Sequence, residues 1–257
     1  MATQMKKWLF LKLATALEDI MKVLEFDLKK GIYRFEINDL NSENHSHPVV
    51  EIIAALEGTF LLETNGKKER NVVFAIIDSN IAHKVTSQNC TAALTMIESH
   101  NSLLNTFFDQ LGIPLTNGVF VTKVNTHFTH SPDKIRSFAL RRNLIHVEDE
   151  RINKCLQIIE NEGIEYDKMV AMLTSKVFLS KSRLSHLFKE HIGISIKKYL
   201  VWSRLKKATN LVLREGINLT QASVQSGFFD QAHLSNAFKN ILGITPAKAY
   251  NSRTLQF

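Results

Sequence analysis

One twelve-residue segment occurs twice in the last third of the chain. It reads LSHLFKEHIGIS from Leu184 to Ser195 and LSNAFKNILGIT from Leu234 to Thr245, with six identical and two conservatively replaced positions. A repeat of this quality is the signature of a repeated supersecondary unit. The end of the chain must therefore fold into a structure that contains the same unit twice.

Each copy has the pattern of a helix that buries a narrow apolar stripe. Ser180 and Asp230 can cap the two helices at their N-termini, and Gly193 can end the first one. The stripes follow the spacing i, i+3, i+4 and consist of Leu184, Leu187, Phe188 and of Leu234, Ala237, Phe238. We expect each of these helices to pack on a shorter preceding one, and a long helix from Ser195 to about Arg214 to join the two units.

The opposite faces of the repeated helices carry side chains that suit a DNA major groove. Amide, hydroxyl and imidazole groups can bond base edges, and small side chains allow close approach. The residues expected to face the bases are Lys181, Ser182, Ser185, His186, Gln231, Ala232, Ser235 and Asn236. The cations expected at phosphates, which position the protein without specifying sequence, are Arg183, Lys189, Lys206, Lys207 and Lys239. Two such helices on one stiff connector predict reading of successive grooves, about 34 Å apart.

Charge is distributed unevenly along the chain. Residues 1–148 carry 16 Lys and Arg against 16 Asp and Glu, whereas residues 149–257 carry 16 against 9. The whole net charge of +7 therefore lies in the C-terminal part. A basic surface confined to one domain is typical of a polyanion-binding protein. A lysine-rich solvated surface is the alternative, and charge alone leaves it open.

Composition and the N-terminus bear on the compartment. The only cysteines, Cys90 and Cys155, have no metal spacing, which fits a reducing environment. The start, MATQMKKWLFLKLATALEDI, resembles a signal peptide, but Lys12 interrupts its apolar run. We interpret it as an amphipathic helix or a lead-in to a strand. No segment approaches the ~20 apolar residues of a membrane span, so a cytoplasmic protein is expected.

The first half of the chain has the pattern of short antiparallel strands. Segments such as GIYRFEI and VVFAII alternate with turn signals, and Asn65-Gly66 is a strong hairpin signal. Several strands at this spacing predict a small barrel or jelly roll. After about Asn101 the pattern becomes helical. The sequence therefore predicts an α+β protein, with a β-barrel domain and its flanking helices over 1–148 and an all-α domain over 149–257.

The C-terminal motifs resemble the DNA-binding domain of the AraC/XylS family of bacterial transcription regulators. LSKSRLSHLFKEHIGISIKKYL (Leu179 to Leu200), RLKKATNLV and GFFDQAHLSNAFKNILGITP (Gly227 to Pro246) agree with that family in order and spacing over about 100 residues. The resemblance implies two helix-turn-helix units. It further implies that Ser182, Ser185, His186, Gln231, Ala232 and Asn236 face bases.

The N-terminal half resembles the cupin-type regulatory barrel that many of these regulators carry. HSHPVVEIIAALEG matches the first cupin motif, and a histidine of DSNIAHKV stands where the second motif supplies one. The resemblance thus groups His45, His47, Glu51 and His83, either as pocket residues for a small effector or as ligands of a divalent transition metal. Pocket residues without metal, and no cofactor, are the expectation.

These observations predict a sequence-specific transcription regulator, not an enzyme. Promoter DNA is the expected partner, and the resemblance allows a small-molecule effector, a homodimer and, for an activator, RNA polymerase. The alternative is a metal-dependent cupin enzyme that carries a DNA-binding domain. Metal retained by the four cupin-motif residues would favour that alternative.

Overall fold

An antiparallel sheet and a set of helices make up the described part of the chain. The computed structural model describes residues 21–98, 103–124, 132–141 and 147–249. The amphipathic lead-in expected within the first twenty residues lies outside these ranges. The strands are β1 (Met21–Asp27), β2 (Ile32–Asn38), β3 (Val50–Glu57), β4 (Phe60–Thr64), β5 (Lys67–Ile77), β6 (His83–Ser87), β7 (Thr91–Ile97) and β8 (Val119–Lys123).

The sheet has the order β1-β2-β7-β3-β5-β4-β6, and β8 pairs with β5. All of these pairings are antiparallel. The sheet curls into a half-barrel, and the isolated bridge between His45 and His83 joins the segment before β3 to β6. The predicted α+β class is thus confirmed, with a half-barrel as its β part.

The predicted hairpin lies between β4 and β5. Asn65 and Gly66 both have positive φ, 51° and 74°. Two left-handed residues in succession give the type I′ turn, whose twist matches that of the flanking strands. The Asn-Gly signal therefore identified both the turn and its strand pair correctly.

The two faces of the sheet belong to different cores, because side chains alternate along a strand. On one face, Ile52 and Ile76 pack against helices α1 (Leu103–Gln110) and α2 (Pro132–Arg141). The rings of Phe107 and Phe138 stack at 3.9 Å between these two helices. The helices that the sequence predicts after Asn101 therefore cover this face of the sheet.

The C-terminal helices follow the predicted arrangement. They are α3 (Glu150–Asn161), α4 (Tyr166–Val177), α5 (Lys181–Ile192), α6 (Ile196–Glu215), α7 (Leu219–Gln225), α8 (Gln231–Leu242) and α9 (Pro246–Ala249). The side chains of Ser180, Ser195 and Asp230 accept backbone N–H groups at the starts of α5, α6 and α8, as predicted. None of the helices within the described ranges is long and apolar enough to cross a membrane.

The other face of the sheet shares a core with the C-terminal helices. Tyr33 pairs with Met96, and Phe35 with Leu94, across β2 and β7. These inward side chains belong to the same buried cluster as Trp202 and Leu205 of α6. The long connector of the helix-turn-helix units is thus also the element that meets the sheet. The predicted domain boundary after residue 148 stays a prediction.

Candidate DNA-binding face and interdomain cavity

The first predicted recognition helix is α5, and it has one buried face and one exposed face. Leu184, Leu187 and Phe188 are buried against the rest of the domain. All the predicted outward residues of this helix are exposed, namely Lys181, Ser182, Arg183, Ser185, His186 and Lys189. Nε2 of His186 lies 3.9 Å from a carboxylate oxygen of Glu190. The imidazole is therefore free to reach a ligand in solvent.

The second predicted recognition helix, α8, repeats this arrangement with two differences. Gln231, Ala232 and Asn236 are exposed, whereas Ser235 is half-buried. The Thr220 hydroxyl donates to Oε1 of Gln231 at 2.7 Å, which holds the amide by its oxygen. The exposed face of α8 therefore has fewer polar groups than that of α5. One of them, the Gln231 amide, is held in place by a hydrogen bond.

Two exposed phenylalanines, which sequence reasoning missed, lie in the turns before the recognition helices. Phe178 is 92% exposed and Phe229 is 87% exposed. Phe178 also has a left-handed backbone, with φ 55°. Single exposed apolar side chains are common on protein surfaces, but an aromatic side chain beside a predicted recognition helix can contact thymine methyl groups. The sequence signal was the FF pair of Phe228-Phe229, of which one ring is buried.

The prediction that Lys206 contacts phosphate is wrong. Lys206 is only 4% exposed, and its Nζ lies 2.9 Å from Oε1 of Glu98 and 3.1 Å from Oε1 of Glu160. On a helix, Lys206 lies on the same stripe as Tyr199 and Trp202. That stripe faces the sheet, whereas the neighbouring Lys207 is exposed.

Lys206 is part of a buried polar network that joins the two domains, here called the Glu98 junction. The carboxylate of Glu98, at the end of β7, accepts hydrogen bonds from the Tyr33 hydroxyl at 2.7 Å and from Nε1 of Trp202 at 3.0 Å. Glu160 of α3 accepts from Tyr199 and Ser203, each at 3.1 Å. The junction is thus satisfied by donors from both domains.

The charges of the junction are stabilised by one another. Burial lowers the pKa of Lys206, but Glu98 and Glu160 outweigh burial and raise it above its ordinary value. Burial together with the Glu98 charge raises the pKa of Tyr33 well above its usual range, so its hydroxyl stays a donor. No local pattern predicts this network, because Glu98 and Lys206 are far apart in sequence.

A second contact, here called the Gly243 clamp, joins the sheet domain to the end of α8. The backbone N–H of Glu43 donates to the Gly243 carbonyl at 2.7 Å. A Cβ added at Gly243 would lie 2.5 Å from Nδ1 of His45 and 2.8 Å from the Glu43 carbonyl oxygen. Glu43 also binds Nζ of Lys239 at 2.8 Å. A lysine predicted to contact phosphate is therefore engaged by the N-terminal domain.

Between these two contacts lies a largely apolar cavity that is partly open to solvent. The sheet contributes apolar side chains such as Phe35 and Met96, and the helical domain contributes Leu205 of α6 and Phe238 of α8. The polar lining groups include His45, Glu51 and Lys206. Of the four predicted pocket residues, His45 and Glu51 line the cavity. His47 and His83 contact Glu51 from behind it.

The four cupin-motif residues do form one cluster. His45, His47, Glu51 and His83 are all buried, and one ligand atom of each lies within 4.8 Å of the others. Nδ1 of each histidine lies 2.8–3.0 Å from a backbone carbonyl oxygen, that of Glu43, Val49 or Ile81. A carbonyl can only accept, so these bonds assign the proton to Nδ1 in all three rings. Nε2 is left for the centre of the cluster.

The ring atoms converge on the carboxylate. Nε2 of His83 lies 2.8 Å and Nε2 of His47 lies 3.3 Å from Oε2 of Glu51. The His83 approach is a buried ion-pair contact, and although burial lowers the pKa of His83, the neighbouring Glu51 carboxylate outweighs it and raises that pKa above its ordinary value. Burial raises the pKa of Glu51, but the two imidazoles outweigh it and lower the pKa well below its usual range. Burial also lowers the pKa of His45 to about 4.

The comparisons with known proteins identify the helical domain. The family model described as a helix-turn-helix domain matches residues 173–252, which include α5 to α9. A probable transcriptional regulator, LumQ of Photobacterium leiognathi, is 23% identical over 86% of this chain and 97% of that protein. The arabinose operon regulatory protein of Escherichia coli is 29% identical over 44% of this chain. Only 39% of that relative's length is covered.

The fold of most of the chain has a solved counterpart. A structure of ToxT from Vibrio cholerae matches with a TM-score of 0.53 over 88% of this chain and 98% of that one, at 12% identity. The relatives named here are regulators, so the enzyme alternative is set aside. The chain is thus similar to helix-turn-helix transcription regulators of the AraC/XylS type, with a ToxT-like N-terminal sheet and a C-terminal helical DNA-binding domain.

Proposed function

We propose that this regulator reads two successive major grooves with α5 and α8, under the control of a small apolar molecule bound between its domains. The observation that carries the proposal is that one cavity is walled by the sheet and by both α6 and α8. A ligand there contacts the sensor and the DNA reader together. Homodimer formation and contact with RNA polymerase stay predictions.

The geometry of α6 supports simultaneous reading by the two units. This helix has 20 residues, which corresponds to a length of about 30 Å. Adjacent major grooves on one side of the duplex repeat every ~34 Å. The recognition helices lie on either side of α6 in sequence, and their exposed faces carry the predicted readers. Phe178 and Phe229 are placed to add apolar contacts beside each reader.

The cavity favours an uncharged apolar effector. One ToxT structure is described as bound to an unsaturated fatty acid. In this chain the lining cation, Lys206, is already bonded to two carboxylates, and Glu51 adds a further negative charge to the wall. A fatty-acid carboxylate would have to displace Glu98 or Glu160 from Lys206. A neutral ligand of the same length avoids that cost, because burying an unpaired charge is expensive.

We expect the full chain to bind the neutral fluorophore N-phenyl-1-naphthylamine with one site per chain. Palmitoleyl alcohol should displace it at lower concentration than palmitoleic acid. Filling the cavity through Thr209→Phe should abolish the site, because Thr209 lines it. Asn210→Phe, one residue further along α6, is the matched control. The measurement is fluorescence titration, repeated with bound DNA to record the change in DNA affinity.

Two results would contradict effector control. One is fluorophore binding that survives Thr209→Phe, and the other is displacement by palmitoleyl alcohol that leaves DNA affinity unchanged. A ligand can shift an equilibrium only by its difference in affinity for the two states. DNA binding itself is tested separately by the reader variants discussed below.

The Gly243 clamp predicts that Glu43 weakens DNA binding. Glu43→Gln removes the 2.8 Å ion pair and frees Lys239 for a phosphate. The pair itself is an exposed one, worth at most about 1 kcal/mol. We therefore expect DNA affinity to rise up to about fivefold, and the slope of log affinity against log salt to steepen by about 0.9. Titrations at several salt concentrations measure both quantities.

The matched control is Glu57→Gln, which removes the same charge from an exposed position of the sheet domain. It alters net charge without touching Lys239. Equal changes in DNA affinity for the two variants would mean that Glu43 acts only through the net charge of the protein. The clamp would then have no role in DNA affinity.

A further inference from the structure

We propose that Arg204 is a positioning residue that sets the separation of α5 and α8, and thereby the spacing of the two DNA half-sites that the protein accepts. The proposal rests on the proposed reading of two grooves and adds the residue that determines their spacing. Arg204 lies near the middle of α6 and is half-buried. Its guanidinium lies against one segment of each helix-turn-helix unit.

One side of the guanidinium is bonded to the first unit. Nη2 of Arg204 donates to the carbonyl oxygen of Ile164 at 2.6 Å. The next residue, Glu165, is the N-cap of α4, and its charge opposes the lowering of the Arg204 pKa by burial. Leu173 of α4 and Leu184 of α5 belong to one buried cluster. Arg204 therefore holds the start of the helix that supports the first reader.

The other side of the guanidinium faces the second unit at Gly227, in the turn between α7 and α8. A Cβ added at Gly227 would lie 3.0 Å from Nε of Arg204 and 3.3 Å from the carbonyl oxygen of Gly163, which precedes Ile164. The turn leads directly to Asp230, the N-cap of α8. The absence of a side chain at Gly227 thus lets the arginine and the first unit lie against the segment that starts the second reader.

The arginine occupies this position at an energetic cost. Nε of Arg204 is buried and has no hydrogen-bond partner within the residues that the structure describes. A buried N–H without a partner is destabilising, and an apolar side chain of similar length would avoid that loss. Stability alone therefore does not account for an arginine here. A planar and rigid guanidinium does suit a spacer of fixed width between two units.

The geometry of DNA makes such a spacer a determinant of specificity. One turn of the duplex is ~34 Å long and holds 10–10.5 base pairs, so each added base pair moves a half-site by ~3.4 Å and rotates it by ~35°. Two readers at a fixed separation match one half-site spacing. Two readers that can move relative to each other match several.

DNA affinity as a function of half-site spacing tests the role of Arg204. The full chain is titrated with duplexes that carry the mapped half-sites at their natural spacing or one base pair further apart or closer together. We expect the unaltered chain to lose at least about tenfold in affinity on either change, because one reader loses its base contacts. Arg204→Met should reduce this discrimination at least about threefold, with unchanged affinity for a duplex that carries the α5 half-site alone. Lys207→Met, which removes an exposed charge from the same helix, should weaken binding equally at every spacing.

Two glycine variants test the same spacer from its other side. Gly227→Ala pushes a Cβ against Arg204, whereas a Cβ at Gly216 meets nothing within 4 Å. Both positions have positive φ, 90° and 64°, so each variant carries backbone strain. We expect Gly227→Ala to reduce the spacing discrimination at least about threefold and Gly216→Ala to leave it unchanged.

The outcomes separate this proposal from the reading of two grooves. Undiminished discrimination in a folded Arg204→Met chain, or equal discrimination in the two glycine variants, would overturn the role of Arg204 alone. If Arg204→Met does not fold, the glycine pair decides. An unaltered chain that binds every spacing equally would overturn the reading of two grooves and the role of Arg204 with it.

Discussion

Replacing Lys206 by methionine is expected to lower the free energy of unfolding by about 3 kcal/mol. The substitution keeps the volume of the side chain but removes the cation that lies 2.9 Å from the buried carboxylate of Glu98, which is 3% exposed. Removing one partner of a buried ion pair typically costs 3–5 kcal/mol. The lower end applies because Tyr33 and Trp202 still donate to the carboxylate. Urea unfolding followed by tryptophan fluorescence measures the change.

The neighbouring lysine supplies a matched control for this prediction. Lys207→Met makes the same chemical change one residue further along α6, at an exposed position, and should alter stability by less than about 0.5 kcal/mol. Adding Glu98→Gln to the Lys206 variant should recover part of the loss, because a neutral amide still accepts both hydrogen bonds. Equal losses at the two lysines, or no recovery, would mean that the Glu98 junction does not hold the domains together.

Local signals in the sequence predicted the helical domain well. The caps at Ser180, Ser195 and Asp230 and the stripes that begin at Leu184 and Leu234 depend on residues within one or two turns. A helix formed by such signals buries one face and exposes the other wherever it is docked. The exposed recognition faces were therefore accessible to sequence reasoning, and so was the Asn65-Gly66 hairpin.

The errors arose where the packing partner is distant in sequence. The helical period alone puts Lys206 on the Tyr199–Trp202 stripe, but only the fold shows that the sheet covers this stripe. Glu98 follows an apolar strand with nothing nearby to mark its role. In the sequence, Gly243 has the pattern of an ordinary helix C-cap. Its close approach to His45 is a contact between the two domains, which the local sequence does not predict. The sequence analysis thus placed the charge of Lys206 in solvent, whereas the structure buries this charge against Glu98 and Glu160.

The same limit applies to the cupin-motif residues. Motif spacing grouped the three histidines and Glu51, and strand pairing does bring them together. Sequence could not show which ring nitrogen of each histidine faces the centre of the cluster. Carbonyl oxygens of residues two positions away in the chain decide this for all three rings.

Substitutions of the residues predicted to face the bases have the largest expected effect on function. We expect His186→Ala and Gln231→Ala each to weaken binding to the specific site by about 1–3 kcal/mol, roughly 5- to 150-fold, with a much smaller loss on unrelated DNA. The specific sequence can be obtained by mapping bound sites across a genome. Affinities for that site and for a shuffled duplex, measured at one salt concentration, give the specificity ratio of each variant.

Lys207→Ala is the control for a contact made through charge alone. It should weaken binding to both duplexes equally and reduce the salt slope by about 0.9. The two readers should also differ from each other. Thr220 holds the Gln231 amide at 2.7 Å, whereas His186 has only Glu190 at 3.9 Å. A fixed amide loses less conformational entropy on binding, so Thr220→Val should reproduce part of the Gln231 loss. If the Gln231 variant loses affinity equally on both duplexes, α8 is not a base reader in this protein.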